Sequence, residues 1–307
     1  MKVAAPAMFE SSLTLSPARL ADYVQLCRPR IAAMVLVTVF LGGYLAAVDK
    51  VPTQLLVDAM IGTALVTAAA SALNQWLERF SDAQMARTAG RPLPSGRLLP
   101  GEVFAIGCVL AIGGLTYQWL TLPPIVMAAT VFTLGSYLGV YTPAKQRTSL
   151  NTLIGAVPGA MPPVIGWTAV RGQIDAGAAT LFLILFVWQV PHFLAIAWMY
   201  RDEYAAAGHK MLTTDDKTGA TTARQMLIYL AALVPVSLLA ASIFSAGIAY
   251  SIGAIVLAAY WLRPVLAFRA RPDVSNARAV LRASIVYLPV LLILLAVSKQ
   301  LPTLWAS

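Results

Sequence analysis

Hydrophobic residues fall along this chain in nine long runs, each close to the roughly 20 residues that an α-helix needs to cross a bilayer. The runs are Ile31 to Val48, Thr53 to Trp76, Gly101 to Leu120, Leu122 to Tyr141, Leu150 to Val170, Gly177 to Tyr200, Gln225 to Phe244, Gly247 to Leu266 and Ser284 to Leu301. They predict an all-α integral membrane protein: about nine transmembrane helices forming one domain over residues 1–307.

Polar positions collect between the runs, and unevenly. The connections "DKVP", "TLPP", "RGQID" and "SAG" are short, whereas residues 77–100, 142–149 and 201–224 form longer loops that hold nearly all the polar chemistry. Of the 22 Lys and Arg residues, all but Lys50, Arg171 and Lys299 lie on the side of those longer loops. The positive-inside rule therefore puts these loops and the N-terminus in the cytoplasm.

Composition agrees with that pattern. The chain is 59% hydrophobic and 11% charged, with a mean hydropathy of +0.74, which excludes an ordinary soluble core. Its formal charge of +9 is a topology signal and needs no nucleic-acid partner. The polar N-terminal segment 1–25 lacks the apolar core and small-residue cleavage site of a signal peptide. Cys27 and Cys108 have no metal-ligand neighbour at useful spacing, so neither a disulfide nor a metal site is expected from them.

The fifth run, "LNTLIGAVPGAMPPVIGWTAV", carries Pro158, Pro162 and Pro163 among Gly155, Gly159 and Gly166. Proline removes a backbone donor, so the freed carbonyls need neighbours or a water-lined cavity. A kinked helix whose small residues admit close neighbours explains the same pattern equally well, and the two readings are compatible.

Charge concentrates in "NQWLERFSDAQMARTAGRPLPSG", after the second run. Asn74, Glu78 and Asp82 are four apart, so on a helix continuing past that run each follows the last by roughly 40° and all three share a face. Two carboxylates and an amide oxygen suit Mg²⁺, which takes one or two protein carboxylates while phosphates and waters fill its remaining positions. Arg87, Arg91 and Arg97 follow as donors for phosphate oxygens, and Lys145 and Arg147 offer two more cations after the fourth run. The alternative is a solvated helix end in which acids and arginines pair with one another. Carboxylates contribute little to topology and are costly near lipid, which weighs against it.

The sixth run leads into "WQVPHFLAIAWMYRDEYAAAGHKMLTTDDKTG", with His192 about two turns inside the membrane and Asp202, Glu203, Asp215 and Asp216 beyond it. His192 and Trp188 are candidate contacts for a substrate held at membrane depth, set against the commoner reading of a packing histidine and an interfacial aromatic. His209, in a loop, is a weaker candidate.

These segments resemble the UbiA superfamily of intramembrane prenyltransferases, from "DYVQLCRPRI" to the last helix. "NQWLERFSDAQMARTAGRPLPSG" is similar to its first acidic motif, and "YTPAKQRTSLNTLIGAVPGAMPPVIGW" and "WQVPHFLAIAWMYRDEYAAAGHKML" resemble the branch that farnesylates haem. The resemblance implies a helical bundle around a lipid-open cavity in a bacterial inner membrane, with the active site facing the cytoplasm. It implies farnesyl diphosphate bound with Mg²⁺, haem B as acceptor substrate, and haem O as product, passed toward a downstream haem A synthase. By the same resemblance Asn74, Glu78, Asp82 and Glu203 would hold metal. Asn74, Arg87, Arg91, Lys145 and Arg147 would bind diphosphate, and Glu78, Asp82, Lys145 and Glu203 would form the catalytic group.

Two positions depart from that pattern. Glu203 is followed four residues on by Ala207 instead of a second acid, and the usual "GIPMLP" is replaced by "GHKMLTTDDKTG", leaving Asp202, Asp215 or Asp216 as candidate substitutes. A prenyltransferase acting on an aromatic acceptor such as hydroxybenzoate would share the diphosphate residues. A transporter of an anionic or haem-like ligand would share the broken helix but favours a midplane site over charges crowded at one face.

Overall fold

The computed structural model describes residues 16–48 and 50–305, with side chains through Lys299, so residues 1–15 of the polar N-terminal segment lie outside the described residues. Among the described residues nine helical spans are long and apolar enough to cross a membrane, as the hydrophobic runs predict. A short surface helix, α1 (Pro17–Leu26), precedes α2 (Pro29–Ala46) and α3 (Thr53–Leu77). Two single turns, α4 (Arg79–Asp82) and α5 (Ala86–Ala89), lead to α6 (Pro100–Thr121). The fourth span joins α7 (Pro124–Gly135) through a π-helical turn at Ser136–Tyr141 to α8 (Thr142–Arg147). The fifth is split into α9 (Asn151–Gly159) and α10 (Pro162–Arg171), followed by α11 (Ala176–Met199). After α12 (Arg201–Ala206) and α13 (Leu212–Asp215) come α14 (Ala220–Ile243), α15 (Gly247–Ala270) and α16 (Val274–Trp305).

The fifth span is 67% buried and the sixth 56%, against 22% for the fourth, so α9–α11 form the axis of the bundle. Around it α3 lies against α6, α2 against α10, and α11 against α14 and α16. Lipid supplies no hydrophobic drive between helices, so close approach of small residues decides the pairing. At Gly166 an added Cβ would sit 1.8 Å from the Val39 carbonyl oxygen, and at Gly42 it would sit 2.1 Å from the Pro163 carbonyl oxygen. Gly166 of the fifth span and Gly42 of the first thus fasten α10 onto α2, while Pro158, Gly159 and Pro162 also face a cavity. Both readings of that run hold.

Helix ends differ from the hydrophobic runs. The last helix begins at Val274 instead of Ser284, and the seventh span at Ala220 instead of Gln225. The predicted loop 142–149 is helical to Arg147. Hydropathy marks the apolar slab, whereas backbone hydrogen bonding carries a helix past it into polar sequence. The π turn has a sequence cause in Pro143, whose ring in a regular α-turn would strike the carbonyl four residues earlier.

Alternate spans bring the longer connections together at one end, called here the cap end. α1 is tied down there: Arg19 pairs with Glu102 at 2.7 Å, Tyr23 donates its hydroxyl to the same carboxylate, and Arg97 pairs with Asp22 at 2.8 Å. Arg97 also donates to Gln25 and the Gly90 carbonyl. It braces the cap and does not reach the cavity.

Candidate functional site

A cavity of about 790 Å³ runs from the cap end into the bundle, within the size range of small-molecule sites. Of the residues singled out in the sequence, Asn74, Glu78, Asp82, Arg87, Arg91, Lys145, Trp188 and His192 line it. The expected continuous helix through the acids is broken: α3 ends at Leu77, and Glu78 leaves helical geometry at φ −92° and ψ 7°. Four-residue bonding nevertheless persists, from Glu78 N–H to the Asn74 carbonyl at 2.9 Å and from Asp82 N–H to the Glu78 carbonyl at 2.8 Å. The three side chains therefore stay on one wall.

Each acid has a cation from another segment. Lys145, brought over by the π turn, places Nζ 2.7 Å from Glu78 Oε1 and 4.6 Å over the Tyr141 ring. Asn74 Nδ2 donates to Glu78 Oε2 at 2.7 Å, and Thr142 Oγ1 donates to Asn74 Oδ1 at 2.9 Å, which fixes the amide orientation. Asp82, 2% exposed, accepts from Arg91 Nη1 at 2.5 Å. Thr88 Oγ1 closes this loop on the Asp82 carbonyl at 2.7 Å. Burial pushes the Glu78 carboxyl up, but the Lys145 charge and the hydrogen bonds from Lys145 and Asn74 outweigh it and hold it below the usual carboxylate range. Burial and the nearby Arg28 charge pull the Arg91 guanidinium below its ordinary range, against the opposing pull of Asp82.

Arg87 spans the gap to α12. Its guanidinium lies over Tyr200 and Tyr204 at 5.3 and 5.7 Å, and its backbone N–H donates to Glu203 Oε2 at 3.2 Å. Glu203 is thus engaged with the backbone of α5 and does not line the cavity, and Arg147 is exposed and lies outside the wall. The acidic candidates past α12 do not converge either. Asp202 is 98% exposed at its side chain and Asp215 is exposed. Asp216 is buried but accepts from Gly219 N–H, Thr222 N–H and Thr222 Oγ1 at 3.0, 2.7 and 2.9 Å, seating the start of α14.

Among the described residues no three His, Cys, Asp or Glu side chains gather in a metal-binding group. The oxygens of Asn74, Glu78 and Asp82 are hard donors that suit a cation whose remaining ligands come from a phosphate.

At membrane depth the wall turns apolar around one imidazole. His192 Nδ1 lies 2.7 Å from Ser284 Oγ, which itself donates to the Leu281 carbonyl at 2.6 Å, so Nδ1 carries the proton. Trp188 stacks on that ring at 4.7 Å and donates Nε1–H to the Ser284 carbonyl at 2.9 Å. Two features are not assigned from sequence: Arg28, at φ 49°, lines the rim, and Thr142 and Tyr141 enter with the π turn. His209, the weaker candidate of the sequence, also lines the cavity. The "TP" pair was the available signal for the π turn, while Arg28 looked like a topology residue.

Residues 35–305 match the model of the UbiA prenyltransferase family. The chain belongs to the UbiA prenyltransferase family. A protoheme IX farnesyltransferase of Solibacter usitatus is 42% identical over 279 residues, covering 88% of this chain and 96% of the relative. Among solved structures, a digeranylgeranylglyceryl phosphate synthase superposes with a TM-score of 0.76 at 16% identity, covering 92% of this chain and 99% of that one. A UbiA homologue of Archaeoglobus fulgidus bound to GPP and Mg²⁺ superposes with a TM-score of 0.65 at 13% identity, covering 91% and 99%. This UbiA chain therefore shares the family's intramembrane helical bundle.

Proposed function

We propose that this UbiA enzyme transfers the farnesyl group of farnesyl diphosphate to a vinyl group of haem B, giving haem O and diphosphate. The observation that carries the reading is a single cavity with two chemistries, paired acids and cations at its cap end and Trp188 and His192 amid apolar walls below. The 42% identity to a protoheme IX farnesyltransferase of Solibacter usitatus supports haem over a hydroxybenzoate-type acceptor.

Asn74, Glu78 and Asp82 hold Mg²⁺ in this reading, supported by their oxygen donor set and by the Archaeoglobus fulgidus homologue bound to GPP and Mg²⁺. Bound there, the metal supplies Lewis-acid stabilisation of the leaving diphosphate. Arg87, Arg91 and Lys145 are the phosphate donors. Without substrate the acids and cations neutralise one another; Glu78 and Asp82 would be the residues to hold the metal, and Lys145 and Arg91 would be the donors to phosphate oxygens. Little charge is left uncompensated in either state. Glu203 acts by orienting Arg87, and Arg147 adds positive charge at the cap without touching the substrate.

As the allylic C–O bond breaks, Arg91 and Lys145 meet the charge that grows on the departing oxygens, the usual largest source of such catalysis. The farnesyl cation bonds to the terminal carbon of the vinyl group, leaving a cation beside the porphyrin. Water adds there as hydroxyl and a proton is released. His192 and Trp188 contact the acceptor and hold it against the allylic carbon. The farnesyl tail gains about 0.8 kcal/mol per CH₂ buried in the apolar part.

We place the site at the cytoplasmic face of a bacterial inner membrane, on the strength of the basic loops, with haem O passing to a downstream haem A synthase. The test is pigment extraction from membranes supplied with farnesyl diphosphate, haem B and Mg²⁺. Haem O should form only with this protein and the metal; a prenylated hydroxybenzoate in its place would select the other acceptor class.

A further inference from the structure

Five enclosed side-chain atoms among the described residues make no hydrogen bond: Gln118 Oε1, Trp167 Nε1, His209 Nδ1, Thr213 Oγ1 and Tyr250 OH. Only His209 of these also lines the cavity. An enclosed polar atom without a partner costs about 1–3 kcal/mol, so an imidazole kept beside a charged site at that cost calls for a role that its other nitrogen performs.

The backbone presents His209 deliberately. Gly208, at φ +72°, turns the chain back after α12, and His209 N–H donates to the Tyr204 carbonyl at 2.9 Å. Lys210 N–H donates to the Lys145 carbonyl at 2.8 Å, and Asn151 Nδ2 donates to the Lys210 carbonyl at 2.7 Å. The segment is thereby stitched to the fourth and fifth spans. Its imidazole, 5% exposed, stands edge-on to Tyr204 at 5.7 Å, and the charges acting on it are those of Glu78, Asp82, Arg87 and Lys145.

The ring chemistry then has one economical arrangement. Enclosed Nδ1 is unpaired in either neutral tautomer, but with the proton on Nε2 it is only an unmade acceptor and the one N–H is left to the nitrogen that is not enclosed, so the proton belongs on Nε2. Nε2 makes no hydrogen bond to the described residues and is not enclosed, and the space the ring borders is the cavity. We infer that His209 is a direct diphosphate ligand, donating Nε2–H to a phosphate oxygen. This rests on the proposed diphosphate site and deepens it: where Ala207 stands in place of a second acid, this chain grips the phosphate itself.

The test uses full-length protein in detergent with inorganic pyrophosphate and Mg²⁺, following both pyrophosphate affinity and the thermal midpoint. His209→Leu removes the donor and the orphaned Nδ1 together, so its midpoint should hold or rise while pyrophosphate binds 10- to 100-fold more weakly. His209→Gln, whose amide nitrogen reaches about as far as Nε2, should stay within about threefold of wild type. Haem B binding, read from the Soret band, should be unchanged in both. Wild-type affinity in the leucine variant overturns the inference, as does a lowered midpoint in both variants with affinity intact, which would make His209 a packing residue. A wild-type protein that binds no pyrophosphate at all would instead remove the diphosphate site itself.

Discussion

Lys145 Nζ and Glu78 Oε1 stand 2.7 Å apart across a 67-residue separation, tying the end of the second span to the π-turned end of the fourth. Burial pushes the Glu78 carboxyl up, but the Lys145 charge and the bonds from Lys145 and Asn74 prevail and leave it below the usual range. A carboxyl depressed in the folded state contributes stability above its unfolded value of about 4.3 and loses it as pH falls through the folded value. The difference in thermal midpoint between wild type and Glu78→Gln should therefore be largest near neutral pH and shrink as pH is lowered below about 4.5. A difference that stays constant over that range would mean the pair contributes nothing to folding.

The α2–α10 seam sets a second expectation. Gly166→Ala puts a methyl 1.8 Å from a backbone oxygen of Val39, and backbone cannot swing aside as a side chain can, so the two helices must separate. The cost should be about 1–3 kcal/mol or more, measured as a lowered midpoint in detergent. Gly135→Ala meets nothing within 4 Å and serves as the control, expected to be neutral or slightly stabilising.

How much of this was legible in the sequence depends on what each feature answers to. Transmembrane runs answer to the slab of lipid, so all nine were readable, and the four-residue step from Asn74 to Asp82 survived even a break at Glu78 because its backbone bonds persist. Helix ends answer to backbone bonding beyond the slab, so Val274 and Arg147 were misplaced. Partner choice answers to tertiary contact: nothing local tells that Glu203 will cap the Arg87 backbone or that Arg147 will point away while Lys145 turns in. His209 was undervalued for the same reason, since a loop histidine gains meaning only when the loop folds over the acids.

Asp216 tests the boundary between support and chemistry. Its carboxylate accepts two backbone N–H groups and one hydroxyl at the start of α14, where the helix dipole also favours negative charge. Asp216→Ala should lower stability by about 1–2 kcal/mol and leave kcat/KM for farnesyl diphosphate unchanged. Lost turnover with an unchanged midpoint would return Asp216 to the list of metal ligands.

Asp82 and Arg91 form one ion pair at 2.5 Å, yet the proposed reaction gives them different partners. In folding they act together, so the destabilisation of the double variant Asp82→Asn with Arg91→Met should be smaller than the sum of the two single variants. In turnover they part, Asp82 to the metal and Arg91 to the phosphate. Each single variant should then lose about 10²-fold or more in kcat/KM, and the double variant should be at least as impaired as the worse single one. The two measurements therefore separate a scaffold from a site. If the double variant instead regained wild-type turnover, the pair would be a structural clasp and the metal and phosphate would have to be held elsewhere.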